Sequence, residues 1–574
     1  MADPLLTLTR AFEAAIAAAF GAEHAATDPM IRRSAHADYQ ANAAMALGKK
    51  LGRPPRVVAE AIKAALRLDD VCSKVEVAGP GFLNLVLRDD YVARELAATA
   101  ADPRLGVPAA RDPETVVIDY SSPNVAKEMH VGHLRSTILG DAIARVLSAL
   151  GHTVVRQNHV GDWGTPFGML IEHLIDQEQA GEGDLSASDL TSFYKAARAK
   201  FDADPAFAER SRRRVVLLQG GDEPTLGKWK SLVAASMRYF GSVYGRLGVT
   251  LTDADVAGES LYNAALPGVA SDLEQLGLAT VSEGALCVFP PGFTGREDDP
   301  LPLIVRKQDG GYGYAATDLA AVRHRVAAIG ARRLVYVVGA PQAQHLAMVF
   351  AVAKLSGWLA PPARAEHVAF GSVLGPDRKM FKTRGGETVR LVDLVDEADD
   401  RAAKVLAEKN PDLDEETRAR VAHAVGVGAV KYADLSNDRI KDYVFDWDRM
   451  LAFEGNTAPY LMYAHARIRS IFRKTDAKPG DAIAVTTKEE RALALTICRF
   501  GAAVEEVGDT LCPHKLCAYL YDLASAFTSF YEACPVLKAD DDATRASRLS
   551  ICDLVARVLA RGLDLLGIDA PDRM

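Results

Sequence analysis

Residues 116–155 constrain this chain more than any other stretch. Residues 116–120 read as a short apolar strand, a polar loop follows, and residues 132–150 carry a helical repeat. Leu139, Ile143, Val146 and Leu150 fall at offsets of four, three and four, which puts them on one stripe facing a core. Gly151 supplies the helix stop, and Val154-Val155 opens a second strand. Strand, helix and strand at this spacing make a βαβ unit, the building block of a doubly wound parallel (Rossmann-type) sheet. The strand–loop–helix texture returns at residues 334–338, and a further strand is expected to end near Phe370.

The α/β centre has company on both sides. The chain of 574 residues has room for several cores, and three domains are expected: 1–110, 111–440 and 441–574. The first reads as α+β, with helical patterning and then a β-rich run at 74–87 broken by Gly79-Pro80-Gly81. A Pro-, Asp- and Gly-rich linker at 102–113 follows it. Within the middle domain, residues from about 180 to 300 are charge-rich insertions with no legible order. The last domain reads as an all-α bundle. Leu516, Leu520, Leu523, Phe527 and Phe530 repeat at helical spacing, and so do Ile551, Val555, Val558, Gly562 and Leu565.

Composition narrows the function classes. With 49% hydrophobic and 25% charged residues the chain is not a disordered one. Its net charge of −9 excludes nucleic-acid binding through bulk positive charge, so any such site must be a local basic patch. The seven cysteines include no C-x-x-C pair, which suits a reduced cytoplasmic protein, and Cys512, His514 and Cys517 read as buried thiols and a capping segment. The Ala-rich run at 14–22 and the uncharged run at 334–353 are both read as soluble elements, so no membrane association is expected.

The sharpest chemical signal runs from Ser122-Pro123-Asn124 to His130-Val131-Gly132-His133, where the first strand turns into its helix. Backbone N–H groups and the positive end of the helix dipole converge at such a turn and favour phosphate. Two imidazoles at i and i+3 share one face and can donate to phosphoryl oxygens, and Gly132 lets a flat base approach. The turn lacks the acidic residue of H-E-x-x-H and a third ligand, so no protein-bound metal is assigned. A second signal is Lys379-Met380-Phe381-Lys382-Thr383-Arg384 after Gly375-Pro376, whose cations suit a pyrophosphate leaving group. Taken alone, such a loop is ordinary solvated surface. Two nucleotide-like strings are set aside: Gly221 to Lys228 has one residue too many for a P-loop and Trp229 where Ser or Thr is required, and Gly311-Tyr312-Gly313 more plausibly presents Tyr314 and Asp318.

These motifs resemble those of the class I aminoacyl-tRNA synthetases, the histidine turn their HIGH signature and the lysine loop a degenerate KMSKS. Ser122-Pro123-Asn124-Val125-Ala126-Lys127, His159-Val160-Gly161-Asp162-Trp163-Gly164 and Phe453-Glu454-Gly455-Asn456-Thr457-Ala458-Pro459-Tyr460 are similar to bacterial-type arginyl-tRNA synthetases in particular, and the similarity runs to Arg573-Met574. The resemblance implies an arginine–tRNA ligase that activates L-arginine with Mg-ATP and transfers it to the 3′ end of tRNA(Arg). It implies catalytic roles for His130, His133, Lys127, Lys379 and Lys382, and an ATP site made by Pro123, His130, Gly132, His133, Lys382 and Thr383. Aligned through its Thr-Arg end, the loop sets Met380 opposite the family's first lysine. Lys379 and Lys382 therefore stand as alternatives for phosphate contact, with Lys127 at the position of a compensating lysine.

For the amino acid, a guanidinium calls for a planar carboxylate partner. Asp318 follows Tyr314 by four residues, on one face of a helix start. The resemblance assigns both to arginine, with Ser122, Asn124 and Gln342, and adds Asp119 and Glu259. For tRNA, Tyr460 and Tyr463 precede the basic residues Arg467, Arg469, Arg473 and Lys474, a mix suited to base stacking and phosphate contact. The resemblance places anticodon recognition there, with Tyr531 and Met574, and recognition of the tRNA elbow in the N-terminal domain. It further implies that tRNA must be bound before activation. A monomer is expected.

Overall fold

The computed structural model describes residues 4–34, 36–181, 190–295, 298–381, 389–411, 413–480 and 482–574. At its centre lies a parallel sheet in the order Arg364–His367, Arg333–Tyr336, Thr115–Asp119, Thr153–Gln157. Val116, Val117 and Ile118 are wholly buried, as expected for a parallel strand covered on both faces. Helix Val131–Ala149 makes the crossover to the next strand, and the stripe of Leu139, Ile143, Val146 and Leu150 is buried along it. The next strand in the chain pairs on one side of Thr115–Asp119 and the later strands extend from the other. The carboxyl end of Thr115–Asp119 is therefore a topological switch point, where the flanking loops diverge and leave a crevice.

The strand expected near Phe370 ends earlier, at His367. There the His367 ring bonds the Val338 carbonyl, and Gly371 N–H donates to the Arg439 carbonyl at 2.9 Å. That contact draws the chain off the sheet into a short pairing of Val373–Leu374 with Tyr443–Val444. The region without legible order is a well-formed insertion. Helices Pro166–Gln179, Leu190–Ala203, Pro205–Gln219 and Glu223–Leu247 come first, then an antiparallel sheet of Ala279–Ser282, Ala285–Val288 and Leu303–Arg306. The string set aside as a P-loop runs into helix Glu223–Leu247, with Lys228 paired to Glu178 at 2.6 Å.

The N-terminal α+β unit has a four-stranded sheet ordered Arg32–Arg33, Tyr39–Ala41, Phe82–Leu87, Cys72–Ala78. It docks on the C-terminal helices through Arg491, which donates to Asp38 at 2.6 Å and to the Leu87 carbonyl at 2.7 Å. The bundle includes Ala458–Arg473, His514–Ala533 and Asp542–Leu565. Helix Glu415–Leu435 ties it to the centre: its Asp434 and Arg135 of helix Val131–Ala149 form a fully buried pair at 3.0 Å. Among the described residues no helix is long and apolar enough to cross a membrane.

Candidate active site

The turn leaving the central strand is held in a conformation it would not adopt alone. Ser121, Ser122 and Ala126 have φ of 71°, 48° and 61°, and such left-handed backbone costs a non-glycine residue about 1 kcal/mol or more. A buried polar network fixes it. Ser121 N–H donates to Ser136 Oγ, which donates to the Val337 carbonyl at 2.6 Å. Ser121 Oγ meets the Tyr244 hydroxyl at 2.7 Å, and Asn158 accepts from Ser122 N–H while donating to that same hydroxyl. Gly161 lies against the turn, where a methyl group would fall 2.3 Å from Asn124 Oδ1. Backbone bonds from Val125 N–H to the Gly161 carbonyl and from Gly161 N–H to the Pro123 carbonyl lock the two segments. Asn124 is left exposed to the crevice.

The two histidines form a helix cap out of imidazoles. His130 is the N-cap of Val131–Ala149; its Nδ1 accepts from Gly132 N–H at 3.0 Å, and His133 Nδ1 accepts from His130 N–H at 3.1 Å. The pattern is that of a capping box, with histidine at both ends. Since each Nδ1 is an acceptor, each neutral ring carries its proton on Nε2 and keeps that N–H free as a donor. Burial pushes the His133 imidazole down to about 3, and burial with the nearby Lys127 charge lowers that of His130. Both are neutral donors at physiological pH. Gly132 has a use beyond the one its sequence position suggested: a methyl group there would meet His130 Cε1 at 2.8 Å.

Lys379 stands exposed on a tight turn in which Gly375 N–H donates to its carbonyl at 2.7 Å. Phe381 stacks on Phe445 with ring centroids 4.8 Å apart. Lys382 and Thr383 lie outside the described residues. Just after them the chain is tied to the histidine turn, where Val131 N–H donates to the Val389 carbonyl and Leu391 N–H to the Met129 carbonyl. Lys127 is exposed beside that turn, its ammonium 4.4 Å from the centre of the Tyr194 ring.

Next to the turn is an acidic pocket. The segment His159 to Gly164 is stitched to residues 257–260: Asp162 accepts from Ser260 N–H at 2.9 Å and from Ser260 Oγ at 2.6 Å, and Glu259 N–H donates to the Val160 carbonyl. This fixes Glu259 at the start of the turn Glu259–Ala265, within electrostatic reach of Asp162 and Asp318. Burial and those two carboxylates push the Glu259 carboxyl up to about 7. Tyr314 opens helix Tyr314–Ala327 and is 76% exposed, and Asp318 lies one turn later. Asp318 Oδ2 meets His345 Nε2 at 2.5 Å, a contact that raises the imidazole above its ordinary range. Gln342 is exposed at the end of the turn Ala340–Gln342, three residues before His345.

Asp119, also expected in the arginine site, is held by the protein through both oxygens. Buried Arg325 donates to its Oδ2 at 2.7 Å and Ser122 Oγ to its Oδ1 at 3.0 Å. Arg325 also donates to Gln157 and lies over the Tyr336 ring. Neither Arg325 nor His345 was singled out from sequence, since each acts through a partner far along the chain.

The C-terminal bundle bears a groove of about 900 Å³ lined by Tyr463, Arg467, Arg473, Lys474, Tyr531, Lys538, Arg573 and Met574, with no Asp or Glu among its described lining. The Arg467 guanidinium lies 4.9 Å from the Tyr463 ring centre and 5.3 Å from that of Tyr531. Two expected members are absent. Tyr460 packs inward, its hydroxyl 3.3 Å from Thr528 Oγ1 and its ring against Tyr521. Arg469 pairs with Asp553 and Asp572. Two residues along a helix it is rotated about 200° from Arg467 and faces away.

Comparison with known proteins finds three family models along the chain. Residues 6–87 match the model of the arginyl tRNA synthetase N-terminal domain, 96–447 that of the class I (R) tRNA synthetase catalytic domain, and 461–574 that of the DALR anticodon-binding domain. The chain is 58% identical to an arginine–tRNA ligase of Thermobifida fusca and 52% identical to one of Frankia casuarinae, each match covering 100% of both chains. Among solved structures it is similar to the arginyl-tRNA synthetase of Plasmodium falciparum, with a TM-score of 0.85, 30% identity and 99% of each chain covered. It is also similar to that of Thermus thermophilus, with a TM-score of 0.82, 29% identity and coverage of 99% and 100%.

Proposed function

Since the chain belongs to the arginyl-tRNA synthetase family and charges tRNA(Arg) with arginine, we propose how its residues divide that work. ATP, as its magnesium complex, lies over the His130–His133 cap. Free Nε2–H donors there face the β- and γ-phosphates without adding a charge that would hold pyrophosphate back. Lys127 and a lysine of the following loop, Lys379 or Lys382, supply the cations that the departing pyrophosphate needs. Gly132 and Pro123 leave room for the nucleotide.

Arginine enters the acidic pocket, its guanidinium against Asp318, Glu259 and Tyr314. Ser122, Asn124 and Gln342 orient its amino and carboxylate groups. Asp119 acts indirectly, holding Ser122 in place. The substrate carboxylate attacks the α-phosphate to give arginyl-adenylate and pyrophosphate, and the terminal ribose 2′-hydroxyl of tRNA then takes the arginyl group and releases AMP. The protein forms no covalent bond in either step; positioning and charge stabilisation carry both. The basic groove of Tyr463, Arg467, Tyr531 and Met574 takes anticodon bases, stacking them on its rings.

The observation that carries this reading is the placement of neutral imidazole donors on the same turn that borders the acidic pocket of Glu259 and Asp318. Arginine-dependent ATP–pyrophosphate exchange, with and without tRNA(Arg), tests it. Exchange with arginine and tRNA together is expected; exchange driven by another amino acid would redirect the pocket assignment.

A further inference from the structure

Lys127 stands just before the histidine cap, and its backbone is clamped on both sides. Ala126 N–H donates to Ser236 Oγ at 2.9 Å, on helix Glu223–Leu247. Glu128 N–H donates to Thr191 Oγ1 at 3.2 Å, on helix Leu190–Ala203. The Lys127 side chain, by contrast, is exposed and has a long flexible stem. Its ammonium nevertheless lies 4.4 Å from the centre of the Tyr194 ring, on that second helix. Among the described residues no carboxylate pairs with it, and the neighbouring Glu128 carboxylate turns to Arg390 at 3.5 Å.

The ring is itself firmly placed. Phe193 and Ala197 of its helix are buried in one core with Val125 and Ala126 of the histidine turn. Thr191 and Tyr194, three residues apart, share the neighbouring face, so one ties the backbone of the turn and the other meets its side chain. A carboxylate in place of the ring would also hold an ammonium, but it would cancel the charge and compete with phosphate for it. An aromatic face attracts the cation through its quadrupole and leaves the full charge to act outward.

We propose that Tyr194 is a positioning residue for the activation step: its ring holds the Lys127 ammonium beside the histidine cap, ready for the departing pyrophosphate, without neutralising it. The inference rests on the role proposed for Lys127 and brings a residue of the insertion into that site. The contact is weak enough for phosphate to draw the ammonium away as charge develops. The benefit falls chiefly on kcat, because the need for the lysine's charge is greatest in the transition state.

The test is arginine-dependent ATP–pyrophosphate exchange by the full-length protein in the presence of tRNA(Arg). Lys127→Met should lose about 100-fold in kcat. Tyr194→Leu should lose about tenfold in kcat, with the KM for arginine and for ATP within about threefold, and Tyr194→Phe, which keeps the ring, should restore all but about twofold of it. Added to Lys127→Met, Tyr194→Leu should cost less than about twofold more, since the ring then has no cation to hold. Tyr194→Phe carrying one, two and three ring fluorines keeps the shape while draining charge from the face. Its kcat should fall with each fluorine, a readout that holds even if the leucine variant fails to fold. A flat kcat across the fluorinated series, or a Tyr194→Leu loss undiminished in the absence of Lys127, overturns the inference. Parental exchange by Lys127→Met would instead overturn the role given to that lysine.

Discussion

Replacing Gly132 with alanine separates what the histidine cap does for the fold from what it does for catalysis. The added methyl would lie 2.8 Å from His130 Cε1 and 2.9 Å from Nδ1. That is roughly 0.8 Å inside a comfortable carbon–carbon contact. The imidazole is the movable partner, so it swings away and its bond from Gly132 N–H is lost. A lost cap costs about 1 kcal/mol. Alanine in place of glycine on a helix returns up to about 1 kcal/mol, so stability should stay within about 1 kcal/mol of the parent. Activity has no such offset. A displacement of about 1 Å in a group facing the transition state costs about 100-fold, and loss of one charge-stabilising donor costs 100-fold or more. Arginine-dependent ATP–pyrophosphate exchange in the presence of tRNA(Arg) should therefore lose about 100-fold in kcat, with the KM for arginine within about threefold. A denaturant melt of the same preparation reads the stability. Exchange within threefold of the parent would refute the role given to the cap, and a collapsed melt would refute the compensation.

The arginine pocket predicts that Asp318→Ala weakens arginine by 100-fold or more in KM, because it removes a carboxylate from a guanidinium partner, while the KM for ATP moves less than threefold. Equal losses for both substrates would give Asp318 a structural role instead. In the basic groove, Arg467→Ala should raise the KM for tRNA about tenfold and flatten the dependence of binding on salt, leaving arginine–ATP exchange at saturating tRNA unchanged; an unaltered salt slope would take Arg467 off the interface. Arg325→Met strands Asp119 without its partner inside the sheet and should cost about 3–5 kcal/mol in a denaturant melt. A loss below about 1 kcal/mol would mean that Asp119 had found water or protonated at little cost. For His133 the folded-state value lies below the unfolded one, so its neutral form stabilises fully above about pH 6.5, and that stability drains away as pH falls toward 3. His133→Asn should shrink the pH slope of stability between pH 6 and 4, and a variant with the parental slope would contradict the buried, neutral cap.

What was legible in the sequence and what was not divides by the range of the interaction. The βαβ unit was readable because its information is local: β-branched residues for the strand, a four–three–four stripe for the helix, glycine for the stop. The two C-terminal helices follow the same logic, and Leu516, Leu520, Leu523, Phe527 and Phe530 all lie buried. The cap could have been read more fully. Its histidines stand at the three-residue spacing of a capping box, and the same spacing that suggested a shared face fixes both tautomers. The insertion resisted because its helices carry many charges on their outer faces and bury narrow stripes, which blurs a period of 3.6.

Pairings across the chain are a different matter. Nothing near Asp119 announces that its partner is Arg325, 206 residues on, and nothing near Asp318 announces His345 on the next helix. These contacts decide which acidic residues remain free for a cation. Read from sequence, Asp318 stands first for the guanidinium, with Asp119 and Glu259 as secondary candidates. In the fold Asp119 is neutralised by a buried guanidinium, Asp318 is held by an imidazole through a single oxygen, and Glu259 lies within electrostatic reach of two other carboxylates. The chemistry of recognition therefore lies less in the number of acids than in which of them the protein has left unpaid. By that measure Glu259 and the second oxygen of Asp318 are where an arriving guanidinium gains most, and substitutions at those two positions should weaken arginine while sparing ATP.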